Sequence, residues 1–200
     1  MNPLGTKIAN LKKLKNQKEK IKKEKENIKN KKKKNKLNDY SKKLVGQVQQ
    51  EIELKNKFIK KNLKSYITKS VNQYLKKNLN KKSKNIKIKN LWVVRQFKNE
   101  YNPLHFHDGN VSGVGYLKIP NNLTKSNKKI KTNGTIDFVY GSKSFLNNSI
   151  FNHKPKVGDL VLFPNNLMHT AYPFKSNGER RSFSFNIEID KKLTGIFHVK

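Results

Sequence analysis

The chain has 200 residues, no cysteine and a formal net charge of +33. Its length fits one domain with a tail, and the lack of cysteine excludes disulfides and thiolate metal sites. No apolar run approaches the ~20 residues of a membrane-spanning helix, and the N-terminus lacks a signal-peptide core, so a cytoplasmic protein without membrane contact is expected.

The charge has two readings. One is electrostatic attraction to nucleic acid or another polyanion. The other is codon composition, because Lys, Asn and Ile all have AT-rich codons. Arginine, the better phosphate reader, is confined to Arg95, Arg180 and Arg181, which favours the second. Non-specific polyanion binding through the lysine-rich tail is expected in either case.

Residues 1–38 read as a lysine- and asparagine-rich tail, disordered or weakly helical. Ile8, Leu11, Leu14, Ile21 and Ile28 offer too little apolar surface to offset ordering, and the run Lys31 to Lys34 repels itself. Residues 39–200 read as one domain, with helices over about 40–77 and a β core over about 86–190. Ser41 is placed to cap a helix over Leu44, Val45, Val48 and Ile52. Phe58, Ile59, Leu63, Tyr66, Ile67, Val71, Tyr74 and Leu75 then recur every three or four residues, the stripe of a helix lying on a sheet.

From Ile86 the period changes to that of strands. Ile86 to Val94, Val111 to Ile119, Thr135 to Tyr140 and Leu160 to Phe163 are β-prone. Residues 182–189 alternate strictly, with Phe183, Phe185, Ile187 and Ile189 against Ser182, Ser184, Asn186 and Glu188. Short strands separated by turns predict a sandwich, barrel or jelly roll. Asn121 to Asn133 is a polar loop at its edge, a possible substrate lid.

Three histidines carry the chemistry. His105 and His107 are two apart, so on a strand both imidazoles point to one side, with Phe106 facing outward into packing. His169 follows the turn at Phe163-Pro164 and completes one face of a coordination sphere. Asp108 is an alternative third ligand if a bulge turns it inward. His153 and His198 lack such context. Eleven residues after His169, Arg180 shares the polar face of its strand with Ser182. A buried arginine there needs an anion, and a carboxylate held by both residues satisfies it.

At these residues the chain resembles the 2-oxoglutarate/Fe(II)-dependent oxygenases. The likeness is greatest to a phage and marine-microbial subgroup related to prolyl 4-hydroxylase-like enzymes. The matching stretches are Gln96-Phe97, Glu100 to His107, Ser112-Gly113-Val114 with Tyr116-Leu117, Gly158 to Pro164, His169, and Glu179-Arg180 with Ser182 to Asn186. The resemblance implies a double-stranded β-helix, mainly β with N-terminal helices. It implies Fe(II) on His105, His107 and His169, with 2-oxoglutarate as cosubstrate held by Arg180, Ser182 and Tyr116. It further implies use of O2 and oxidation of a C–H bond of a primary substrate, a protein side chain by analogy, with release of succinate and CO2. If the chain is viral, its setting is the host cytoplasm. The wider superfamily has H-x-D where this chain has His105-Phe106-His107, which leaves three-histidine coordination and recruitment of Asp108 both open. The rival readings are a cupin-type metal enzyme that does not use 2-oxoglutarate, and a basic nucleic-acid-binding module.

Overall fold

A computed structural model describes residues 7–10 by their backbone, and 40–124, 127–129 and 132–195 with their side chains. The tail beyond residues 7–10, parts of the 121–133 loop and His198 lie outside the described residues.

Among the described residues, ten strands form two antiparallel sheets. In chain order the elements are β1 (Lys7–Asn10), β2 (Gln50–Glu53), α1 (Asn56–Asn62), α2 (Lys64–Leu79), β3 (Lys87–Gln96), β4 (Asn102–His105), β5 (Val111–Lys118), β6 (Ile136–Val139), β7 (Ile150–His153), β8 (Asp159–Pro164), β9 (Met168–Ala171), β10 (Arg180–Glu188) and α3 (Lys191–Thr194). The larger sheet runs β1-β8-β5-β10-β3-β2 and the smaller β4-β9-β6-β7. Two facing sheets backed by helices match the expected double-stranded β-helix.

Period-two alternation sorts the side chains of the larger sheet onto two faces. Leu91 and Val93 of β3, Leu160 and Leu162 of β8, and Phe183, Phe185 and Ile187 of β10 face the helices. They pack on Ile59, Leu63, Ile67, Val71, Tyr74 and Leu75. On the other face Tyr116, Val161 and Phe163 meet Ile136 and Phe138 of the smaller sheet. Gly113 and Gly115 lie opposite Phe185 and Phe183 on β10. A methyl group on either glycine would collide with the facing phenyl ring. The two bulky rings and the two bare backbone positions are therefore one packing solution.

Three local expectations are corrected. The helix over Leu44 to Ile52 does not form: Ser41–Lys43 is a single 3-10 turn without a side-chain cap, and Gln50–Glu53 is a strand. Pairing with the edge of β3 satisfies a row of backbone groups, and that outweighs a weak helical spacing interrupted by Gly46. Within the predicted tail, Lys7–Asn10 pairs antiparallel with β8 and covers that edge of the sheet. Tyr140, the last residue of the β-prone run from Thr135, is exposed because β6 ends at Val139.

α2 ends at Asn80, whose left-handed backbone (φ 52°) lets its N–H bond to the Lys76 carbonyl at 3.0 Å. No described helix is long and apolar enough to cross a membrane.

Candidate metal centre

His105 and His169 meet because they are direct cross-strand partners on β4 and β9. His107 arrives differently. β4 stops at His105, so the strand periodicity that predicts its direction does not extend to it. Instead Asn165 clamps it from the turn after β8. The His107 N–H donates to the Asn165 carbonyl (2.9 Å), and the Asn165 side-chain amide donates to the His107 carbonyl (3.1 Å). Phe106, expected to face outward into packing, is instead 65% exposed and borders the cavity.

Each imidazole is held by the nitrogen that faces away from the cluster. Nδ1–H of His105 donates to the Pro103 carbonyl (2.6 Å), that of His169 to the Leu167 carbonyl (2.9 Å), and that of His107 to Asn186 Oδ1 (2.9 Å). The Ser112 hydroxyl also donates to Asn186 Oδ1 (3.0 Å), in keeping with the amide oxygen as acceptor for both groups. That assignment leaves three Nε2 lone pairs. The potential ligand atoms of the three histidines lie within 4.8 Å of one another, and the His105 and His107 Nε2 atoms are 3.1 Å apart. Two lone pairs so placed repel unless a cation or proton lies between them. Neighbouring imidazoles on one ion with bonds of ~2.0–2.1 Å have about that separation. Burial pushes the His107 pKa down to about 4 and lowers those of His105 and His169, so the rings are neutral and ready to ligate at ordinary pH. The donor set fits a divalent transition metal.

Aromatic rings wall the cluster. Trp92 of β3 stacks on His107 with centroids 5.8 Å apart, and Phe138 and Phe163 lie 5.7 and 4.8 Å from His169. They keep water from the imidazoles on the inner side. Asp108 is elsewhere. Its carboxylate bonds the Lys89 ammonium at 2.6 Å and the Gly109 N–H at 2.8 Å, and its side chain is 79% exposed.

The same cavity, of about 250 Å³, continues between the sheets to Tyr116, Arg180 and Ser182. Arg180 is buried, donating to the Gly134 carbonyl (2.9 Å) and to Gln96 Oε1. Among the described residues no carboxylate pairs with it. The adjacent Glu179 turns the other way, bonding Arg95 (2.7 Å) and Arg181 (2.6 Å). Burial alone would raise the Glu179 pKa, but the bonds from Arg95 and Arg181 outweigh it and bring it down to about 2. The Tyr116 hydroxyl is buried with no hydrogen-bond partner, and burial drives its pKa up. A guanidinium without an anion beside a phenol without an acceptor has the chemistry to take a carboxylate.

Sequence reasoning names all six of these side chains but gives no role to Asn186, Gln96, Asn165 or Trp92. Asn186 and Gln96 fall within the quoted motif stretches, which is the one signal that pointed to them. His153 is buried beside the Tyr116 ring, 3.4 Å from Asp159 and outside the histidine cluster.

Residues 90–186 match a family described as "Putative 2OG-Fe(II) oxygenase". No curated protein matches the chain. Among solved structures, a prolyl-4-hydroxylase from Pseudomonas putida is similar over 94% of each chain, at 11% identity and a TM-score of 0.61. A Trichoplax adhaerens prolyl hydroxylase, solved with a hypoxia-inducible-factor peptide fragment, is similar over 99% of this chain and 89% of its own, at 14% identity and a TM-score of 0.60. HygX from Streptomyces hygroscopicus, solved with nickel and 2-oxoglutarate, is similar over 94% of this chain and 84% of its own, at 12% identity and a TM-score of 0.57. At these identities the likeness is one of fold. The matched stretch holds both ends of the cavity, the three histidines and the Arg180 pocket, so the likeness to the 2OG-Fe(II) oxygenases covers the candidate site itself.

Proposed function

We propose that His105, His107 and His169 hold Fe(II), that Arg180, Ser182 and Tyr116 hold the distal carboxylate of 2-oxoglutarate, and that the chain hydroxylates a C–H bond. The observation that carries this reading is one continuous cavity with neutral imidazoles at one end and an anion-deficient guanidinium at the other. Iron bound there supplies oxygen activation coupled to the decarboxylation of 2-oxoglutarate to succinate and CO2.

The protein's own contribution is position, charge and dryness. His107 is favoured over Asp108 as third ligand, because the Asp108 carboxylate, although it also borders the cavity, is 79% exposed and bound to Lys89, while His107 stands in the histidine cluster. Three neutral ligands leave the site one charge more positive than a two-histidine, one-carboxylate set. That surplus favours an anionic chelator, and Arg180 reinforces it from the far end. Gln96 and the Gly134 carbonyl fix the guanidinium so that its remaining N–H groups serve the ligand. Asn186 holds His107 in the tautomer that leaves Nε2 free. The cavity reaches the surface beside Tyr40, Lys43, Leu44, Val45 and Phe106, and the primary substrate, a protein side chain in our reading, enters there.

Anaerobic addition of Fe(II) and then 2-oxoglutarate tests the assignment. A visible metal-to-ligand charge-transfer band that weakens in Arg180→Ala supports it. Iron binding without the band supports a cupin-type metal enzyme instead, and no metal binding refutes the centre.

A further inference from the structure

On the side of the larger sheet away from the cavity, α1, α2 and the connection to β3 carry a second feature. Between Leu54 and Asn99 there is not one aspartate or glutamate, while there are fourteen lysines and one arginine. Codon composition does not account for this. Glutamate and aspartate codons tolerate AT bias, and acids recur through the rest of the domain, at Glu100, Asp108, Asp137, Asp159, Glu179, Glu188 and Asp190. The exclusion is local to one segment of the chain.

The fold brings four of these lysines to a cleft of about 500 Å³ between α1, the start of α2 and the start of β3. Lys60, Lys64, Lys84 and Lys87 line it together with Asn56, Asn85 and Thr68, and Ile59, Ile86 and Ile88 complete the lining. All four lysines are exposed. The nearest acids are at the rim. Asp190 is taken up by the Ser83 hydroxyl, the Lys84 N–H and the Asn85 amide, and Glu188 meets Lys87 at 3.2 Å and Lys89 at 3.2 Å. Among the described residues no carboxylate forms an ion pair with Lys60, Lys64 or Lys84. Lys57, Lys60 and Lys61 are neighbours on one surface of α1 at three- and four-residue spacing, and Lys64 opens α2.

We propose that this face docks the phosphate backbone of a nucleic-acid duplex. The chemistry of the face selects that occupant. No large apolar side chain of residues 54–99 is exposed, so the face has nothing to insert into a lipid surface. Nor does it present an exposed aromatic platform for the unstacked bases of a single strand. Lysines alone contact phosphate as point charges, without reading sequence. The sheet separates this face from the cavity, so docking tethers the enzyme without occupying its site.

The test compares two full-length variants of equal charge. One is Lys60→Gln/Lys64→Gln/Lys84→Gln/Lys87→Gln. The other removes four exposed lysines outside the cleft, Lys143→Gln/Lys154→Gln/Lys156→Gln/Lys175→Gln. Binding to a short fluorescein-labelled DNA duplex of mixed sequence is followed by anisotropy against salt. The N-terminal lysines are present in both and cancel. The cleft variant is expected to lose about 3–4 from the slope of log Kd against log salt, roughly 0.9 per lost phosphate contact, and the control far less. Equal losses in both would reduce the effect to net charge and overturn the proposal. So would preserved duplex binding by the cleft variant, or cleft-dependent binding to phosphatidylserine vesicles but not to the duplex.

Discussion

The two faces of the larger sheet come from the same strands and have opposite chemistry. On β10, Phe183, Phe185 and Ile187 are sealed against the helices, while Arg180, Ser182, Ser184 and Asn186 line the cavity. The apolar face uses shape: bulky rings fill the space over Gly113 and Gly115. The polar face uses incompletely satisfied groups, an unpaired guanidinium and a free phenol, which are costly in a core and useful toward a ligand. A strand can do both because its side chains alternate, so fold and site should be breakable one at a time.

The largest effect is expected from the polar face. His169→Ala removes the buried member of the histidine cluster, and turnover of 2-oxoglutarate should fall to background while the far-ultraviolet dichroism stays native. Full activity in that variant would sink the metal assignment. Phe185→Ala breaks the other face. It should lower stability by ~3–5 kcal/mol in denaturant melts, with turnover per folded molecule nearly unchanged. A stable but inactive protein would show that the two faces are not separable.

Arg180→Ala should raise the 2-oxoglutarate concentration for half-maximal turnover about 100-fold, the weight of two charge-assisted hydrogen bonds at ~3 kcal/mol together. Arg180→Lys should recover part of this, because it restores the charge but not the fork. Asn186→Ala sharpens the comparison more gently. It leaves every proposed ligand in place but frees the His107 ring, and metal affinity should fall ~10–100-fold. An unchanged metal titration would mean that Trp92 and Asn165 orient the ring unaided.

The smallest effect is a pH dependence. The folded protein keeps His107 neutral down to about pH 4, whereas the unfolded chain takes up that proton near the ordinary histidine value of ~6.5. Between those values the unfolded state binds more protons, so stability of the metal-free protein is full above ~6.5 and declines as pH falls toward 4. His105 and His169 shift in the same direction. Melting temperatures that stay flat from pH 7 to 4.5 would contradict the burial of the cluster.

Much of this was legible in the chain. Strict alternation over 182–189 defined both faces of β10, and the three- and four-residue spacing from Phe58 to Leu75 defined the buried stripe of the helices. Where the periodicity was weak, tertiary pairing decided. Gln50–Glu53 became a strand because β3 offered an open edge, and no local signal reports the edge of a distant strand. The site divides the same way. Histidine, arginine and serine announce themselves by chemistry, Tyr116 came only with the family resemblance, and strand register places His105 opposite His169.

Sequence alone determined the residue types, the periods and therefore which side chains could share a face. Only the tertiary structure decided between His107 and Asp108 as the inward group. Both lie beyond the end of β4, where no backbone period fixes direction. Their choice follows from Asn165, Asn186 and Lys89, far apart in the chain and adjacent only once the sheets have closed.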